Sequence, residues 1–450
     1  MRKCLLAICL LLTPLIFTAD EEIPEEGLIA AVDNLGPTAA GYLSEGDFGP
    51  DDEQFIDRHV LRDFVESKGL IECRQKSGLL TIAGDARARW VRASERAYDP
   101  ENNIVKDVRG FNGTAKGVAL NRFKSEINLF FDYVAPNSWV STKLKWSNYD
   151  GKDGGTATKV DLDRAFLGYD VYRTDCSDFY VEVGRSKLDF MFESRVEFTS
   201  VFDGLHLYYT TCIPRVCTFI VHGGPFLIDG YTDHFVWVME AFFKELADTP
   251  WSVKYSIIDW HRVAPTIDYG NLKTSGESLV GKNPRYRFVV SQMILGYQRP
   301  IDIFHCKTFY AYAAVLANTA AKKSFTTNYR YLNKAWYAGF TLGKLCKACD
   351  WSLDINYQAV QAQAVPEFDL SGIGHGNGQN TLFSDAILQG FDHGSAQGFT
   401  NYKGWCASFL FAMTDSLSLR TIAQEARPYN RSIGGDFHYK SFEMSFIYAW

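Results

Sequence analysis

Seven cations recur at strand spacing between positions 87 and 164: Arg87 and Arg89 in "GDARARW", Arg122 and Lys124 in "RFK", Lys143 and Lys145 in "KLK", and Arg164. A spacing of two places each pair on one face of a strand, so together they make a basic surface. Such a surface attracts and steers anions through water and breaks no bonds. The structural alternative is a charge ladder neutralised by Asp85, Glu126 and Asp132. Groups that could do covalent or metal chemistry are sparse. The Cys346-Lys-Ala-Cys349 turn has neither a second pair nor a thioredoxin-like βαβ context, so it reads as a structural turn, not a redox or zinc site. "NYDGKDGGT" offers Asp150 and Asp153 but lacks the EF-hand spacing and its terminal Glu. His375 and His393 fall in a Gly-rich stretch that reads as a solvated loop. No GxSxG, HExxH, P-loop or strand-following GxGxxG occurs, so no catalysis, metal or cofactor is expected.

The elements that would carry the cations are strands. In "RFKSEINLFFDYV", Phe123, Ile127, Leu129, Phe131 and Tyr133 oppose Arg122, Lys124, Glu126, Asn128 and Asp132. In "DWSLDINYQA", Trp351, Leu353, Ile355 and Tyr357 oppose Ser352, Asp354, Asn356 and Gln358. One face suits hydrocarbon and the other suits water. Sixteen runs of this kind span the chain from about 79–93 to 435–450, the seventh near 216–222 and the thirteenth near 350–364. Their connections alternate between a few residues and longer stretches, which is the loop pattern of an outer-membrane barrel. Aromatic residues make up 15% of the chain and mean hydropathy is -0.15. Beyond the N-terminus no stretch approaches the roughly 20 apolar residues of a spanning helix, which excludes a helical membrane protein. The expected fold is therefore all-β, a transmembrane antiparallel barrel of sixteen strands over 76–450. Its last strand carries Phe442, Phe446, Tyr448 and Trp450 on the lipid-facing parity and is expected to close the barrel against the first.

What precedes the barrel differs in character. Residues 1–19, with Arg2 and Lys3 before an apolar run, read as a secretory signal peptide. From Asp20 to Glu72 there are fifteen acidic and three basic residues, a net charge of -12. Setting this and the leader's +2 against the -7 of the whole chain leaves +3 for residues 73–450. The segment 20–75 is expected in the periplasm with one helix near 51–68, N-capped by Asp51 and carrying an apolar stripe.

Three blocks carry a resemblance: "VEVGRSKLDFMFESRVEFTSVFDGL", "WYAGFTLGKLCKACDWSLDINYQAVQAQAVPEFDLSGIGHGNGQN" and "KGWCASFLFAMTDSLSL". With the aromatic C-terminus, they resemble porins of the chlamydial outer membrane and related carbohydrate-selective porins. The resemblance covers most of 73–450. It implies a sixteen-stranded diffusion channel assembled by the barrel assembly machinery, with Trp450 where the family usually has Phe.

Several expectations follow from the topology. Cys73, Cys176, Cys212, Cys217, Cys306, Cys346 and Cys349 all fall on the short-turn side, so they are candidates for disulfides within a turn or to neighbouring envelope proteins. The connection "LDFMFESRVEFTSV" after the fifth strand is too apolar for open water and is expected to fold into the lumen. There it would set Glu193, Arg195 and Glu197 against the basic wall as the constriction. Expected partners are outer-membrane lipid, the barrel assembly machinery and disulfide-linked envelope proteins, with a homotrimer left open and no nucleic acid. The function expected is a water-filled channel for small hydrophilic solutes or ions; the alternative is a structural or adhesive barrel without transport.

Overall fold

The computed structural model describes residues 71–75, 78–98, 104–107, 120–150, 159–198, 201–229, 234–262, 273–274, 277–278, 288–301, 308–321, 323, 330–366, 370–373, 400–431 and 436–450. Residues 20–70 of the acidic segment, with its expected helix near 51–68, lie outside these residues, as do Asp153, His375 and His393, whereas its last five residues, Ile71–Gln75, form a strand.

The ring contains β1 (Gly78–Tyr98), β2 (Leu120–Ala135), β3 (Ser138–Asp150), β4 (Lys159–Arg173), β5 (Ser177–Lys187), β6 (Val201–Ile213), β7 (Cys217–Asp229) and β8 (His234–Lys244). It continues through β9 (Trp251–Arg262), β10 (Phe288–Arg299), β11 (Phe309–Asn318), β12 (Lys334–Leu342), β13 (Trp351–Val360), β14 (Tyr402–Ala412), β15 (Leu417–Pro428) and β16 (Asp436–Ala449). Each pairs antiparallel with its neighbours in sequence, and β16 pairs with both β15 and β1, so the sheet closes. Two further short strands, Ile71–Gln75 and Ile104–Asp107, join the same sheet by pairing with β1. The fold is a closed sixteen-stranded antiparallel β-barrel.

Period-two alternation explains the outer surface. Phe123 is 59% exposed and Trp405 40%, with Trp237, Met239, Val315 and Tyr448 also exposed on the outward parity. At the seam, Trp450 and Gly84 exchange backbone hydrogen bonds of 3.0 Å, and the Trp450 ring covers Gly84 so closely that a Cβ there would lie 2.7 Å from it. Glycine is what lets the terminal ring lie flat on the first strand. β7 runs past the expected end at 222 because "GGP" continues the strand. Gly224 meets the backbone of Leu205, where a Cβ would lie 1.8 Å from its carbonyl, and the β6–β7 pairing omits Gly224 and Pro225, the latter having no N–H to give.

A bulge in β4 matters for the interior. Lys143 pairs with Arg164 and Leu144 with Leu162, so Asp163 is the extra residue. Consecutive residues Asp163 and Arg164 are therefore both buried on the lumen side, whereas Leu162 and Leu167 are exposed outside.

Two connections on the long-loop side enter the barrel. Residues 188–198 open with a 3-10 turn, Leu188–Phe190, and bury Leu188, Phe192, Val196 and Phe198 completely. Residues 361–366 and 370–373, after β13, bury Ala362, Ala364, Val365, Leu370 and Ile373. The two segments join through Ser371, whose N–H donates to the Val196 carbonyl at 3.2 Å and whose hydroxyl donates to the Glu197 carbonyl at 2.6 Å. They pack on lumen-facing apolar residues of β8–β12, including Val236, Val238, Ile258, Val290, Ile294 and Leu316. The interior is thus split into a dry half, filled by one hydrophobic core, and a wet half. The thirteenth run, expected to continue to about 364, ends at Val360, and the chain turns inward there, burying Ala362, Ala364 and Val365.

Candidate functional site: a basic cavity inside the barrel

The wet half holds a cavity of about 460 Å³ whose lining includes nine cationic side chains and three carboxylates. Strand register builds it. Arg87 stands opposite Glu126 across β1–β2, Arg89 opposite Lys124, and Lys143 opposite Arg164 across β3–β4. Arg87 is held by Asp85 through a second nitrogen at 2.8 Å, and Asp85, fully buried, also accepts from Asn128 at 2.9 Å. Glu126 lies 3.0 Å from Lys124, 3.8 Å from Lys145 and 4.0 Å from Arg87. One carboxylate shared by three cations leaves the layer positive. Lys143 bonds the bulge residue Asp163 at 2.7 Å, with Lys187 at 3.8 Å from its other oxygen. Arg164 reaches Asp132 at 3.5 Å, and Arg89 reaches Glu443 on β16 at 3.2 Å.

Of the seven cations singled out in the sequence, Arg87, Arg89, Lys124, Lys143, Lys145 and Arg164 line this cavity. Arg122 pairs through its backbone with Val91, and its side chain lies outside the described residues. Lys187, Arg195 and Arg420 join the lining from β5, the inserted loop and β15. The Asp85, Glu126 and Asp132 partners are also present, so ladder and basic surface are one structure.

The opposite wall is a polar row on β13. Asp354 accepts from Thr341 at 2.8 Å, from Tyr312 and Asn356 at 3.0 Å, and from Arg195 of the loop at 3.1 Å. Gln358 follows, donating to Asn356 and accepting from Tyr402. Arg195 also lies 4.9 Å over the Tyr312 ring. The loop therefore offers Ser194 and Arg195 to the cavity. The expectation that Glu193 and Glu197 face the basic wall is corrected: Glu193 turns to the dry side and bonds Lys254 at 3.0 Å, and Glu197 is 0% exposed in the packed base of the loop. The physical reason is that Phe192, Val196 and Phe198 take the apolar wall, and alternate residues between them follow into the interior. Lys254 on β9 had no counterpart in the sequence reading.

The cysteines divide by position. Cys176 and Cys212, joined by a 2.9 Å backbone hydrogen bond, are exposed beside the short turns, as are Cys346 and Cys349, while Cys217 on the same rim is buried. All are free thiols here. Cys73 pairs by its backbone with Leu80; its side chain and all of Cys306 lie outside the described residues. Cys406, on β14, lines the cavity. Phe442, Phe446, Tyr448 and Trp450 are exposed on the outer face of the closing seam.

No family model and no curated protein matches this chain. Among solved structures, it is similar to the high-pH form of OprB from Pseudomonas putida, at 10% identity over 87% of this chain and 96% of that one, with a TM-score of 0.48. The outer membrane channel DcaP of Acinetobacter baumannii is 11% identical over 85% and 100% of the two chains, with a TM-score of 0.44. Salmonella typhi OmpF in complex with daunomycin is 11% identical over 84% and 100%, with a TM-score of 0.43. The closed barrel itself rests on this chain's own strand pairing.

Proposed function

We propose that the protein is an outer-membrane porin, a passive diffusion channel for small hydrophilic solutes, with the inserted loop 188–198 as its constriction and a preference for anions. One observation carries this reading: a closed barrel with an apolar exterior encloses a polar cavity with nine cations and three carboxylates in its lining. Buried cations in such number require water or an anion beside them. A merely structural barrel has no use for them. The short-turn rim faces the periplasm in this reading, with the acidic segment beneath it and the C-terminal aromatics read by the barrel assembly machinery. The protein acts without catalysis or cofactor. Refolded protein in a planar bilayer is expected to give stepwise conductance, and silence from a folded barrel overturns the proposal.

Charge at the wall sets the selectivity. Exchanging Lys124 and Lys145 for Gln removes two of the three cations on Glu126 and is expected to lower the anion-to-cation permeability ratio several-fold. Reversal potentials in a salt gradient check this, and an unchanged ratio would place the ion path elsewhere.

The rim cysteines are proposed to exchange with neighbouring envelope thiols, because Cys176, Cys212, Cys346 and Cys349 are exposed. Nonreducing gels of envelopes are expected to show cross-linked forms that collapse to monomer with reductant. Full alkylation of the rim thiols in native envelopes would refute it.

A further inference from the structure

On the dry side, where the loop meets the wall, titratable side chains stand in one row. Trp139 Nε1 donates to Glu182 Oε1 at 3.0 Å, and Glu182 Oε2 lies 3.1 Å from His206 Nδ1. His206 Nε2 lies 3.2 Å from His222 Nδ1, and His222 Nε2 lies 3.2 Å from Glu240 Oε1. Register makes the row: Glu182 faces His206 across β5–β6, Glu240 faces His222 across β7–β8, and the two histidines are diagonal neighbours across β6–β7. All four side chains are buried.

Proton counting then constrains the row. Each of the three contacts that involve a ring nitrogen needs one hydrogen between its two heavy atoms, and an ionised carboxylate can only accept. Two neutral imidazoles bring two hydrogens to three contacts. With two, a ring lone pair must face a carboxylate or another lone pair at about 3 Å, which a buried site penalises strongly. We infer that Glu182, His206, His222 and Glu240 together hold one proton beyond two neutral imidazoles and two carboxylates, and that this shared proton keeps the loop 188–198 seated.

The coupling is geometric. Phe192 of the loop stacks on His222 with centroids 4.8 Å apart and planes 7° apart, and meets His206 edge-on at 5.8 Å. The next residue, Glu193, bonds Lys254, which lies 3.8 Å from Glu240, and the Glu193 carbonyl accepts from Gln292 at 2.6 Å. Tyr180 and Tyr208 flank the rings as neutral aromatics. The local charges are thus Glu182, Glu240 and Glu193 against Lys254 and the shared proton. Without that proton, three carboxylates face one ammonium in a dry site, and the relief is to lift Phe192 and admit water. Raising the pH is the way to remove it, so the constriction loosens towards alkaline pH.

The idea rests on the channel reading for its electrical test, and a second test is independent of conductance. The chain has nine histidines, so replacing the seven other than His206 and His222 leaves the row intact and its signals unambiguous in ¹⁵N spectra of the refolded, full-length protein. At neutral pH three protonated ring nitrogens are expected across the two rings, or two ring nitrogens with a proton placed on a carboxyl that bonds the row. Two protonated nitrogens with both carboxyls ionised, read from carboxyl ¹³C shifts, overturn the inference. In bilayers, unitary current is expected to rise at least two-fold and become noisy as pH increases from neutral, and His206→Gln with His222→Gln should abolish that rise. A pH-flat current in a protein with the extra proton refutes the link to the loop. Absence of any channel, with the proton count intact, refutes the porin reading and leaves the proton site standing.

Discussion

A chain ending at residue 435 forms no barrel. β16 supplies the hydrogen-bond partners of β15 on one side and β1 on the other, from Asp85↔Ala449 to Tyr98↔Asp436 along the closing seam. Its loss leaves two rows of backbone N–H and C=O groups facing hydrocarbon, at roughly several kcal/mol for each unsatisfied group. With fifteen strands, β1 and β15 run in the same direction, so the antiparallel closure seen here is not open to them. Trp450→Lys is a milder form of the same damage, since it withdraws the ring that covers Gly84 and puts an ammonium on the outer face beside Tyr448, whose ring is 6.5 Å from that of Trp450. Heat-modifiable migration on gels checks both: the truncated chain is expected to migrate as unfolded at every temperature, and a folded band from it would contradict the closure argument.

Asp354→Leu is expected to widen and destabilise the channel. This carboxylate collects four donors, and Arg195 is the only one of them that belongs to the inserted loop. Removing it leaves a nearly buried guanidinium without its carboxylate, a change on the order of 3–5 kcal/mol in other buried pairs. Other ties of the loop include Lys254 to Glu193, Gln292 to the Glu193 carbonyl, the two Ser371 bonds and the packing of Phe192 on His222. They are expected to hold it only part of the time. Unitary conductance should rise several-fold with frequent flicker, and Asp354→Asn, which keeps an acceptor, should show less of both. A folded Leu variant with wild-type conductance would mean that residues 188–198 do not set the bore.

The barrel was legible because lipid imposes one rule on every strand. Each of the sixteen runs keeps outward apolar residues at period two, and a period that long repeated leaves no other architecture. The bulge at Asp163 was invisible, since a single inserted residue shifts parity without changing composition; outward Val160 and Leu162 share the parity of Arg164, and only the bulge turns Arg164 inward. The division of the lumen was missed for a different reason. β8 reads "HFVWVMEAFFK" and β10 reads "FVVSQMILGYQR", apolar on both faces, and a strand apolar on both faces inside a channel must be covered from within. That signal was present and the loops after β5 and β13 were its answer. The row of Glu182, His206, His222 and Glu240 was not readable at all, because neighbours 16 to 24 residues apart meet only once register is fixed.

The seat of the loop has a temporal side. Residues 188–198 are laid down early, but the groups that receive them come later in the chain: His222, Lys254, Gln292, Tyr312, Asp354 and finally Ser371. Until those strands join the growing sheet, Phe192, Val196 and Phe198 have nothing to rest on, and long-range contacts of this kind form late. The loop can therefore dock only after most of the sheet has been laid down. The last step of folding is thus set by how fast eleven loop residues find a wall that did not exist when they were made.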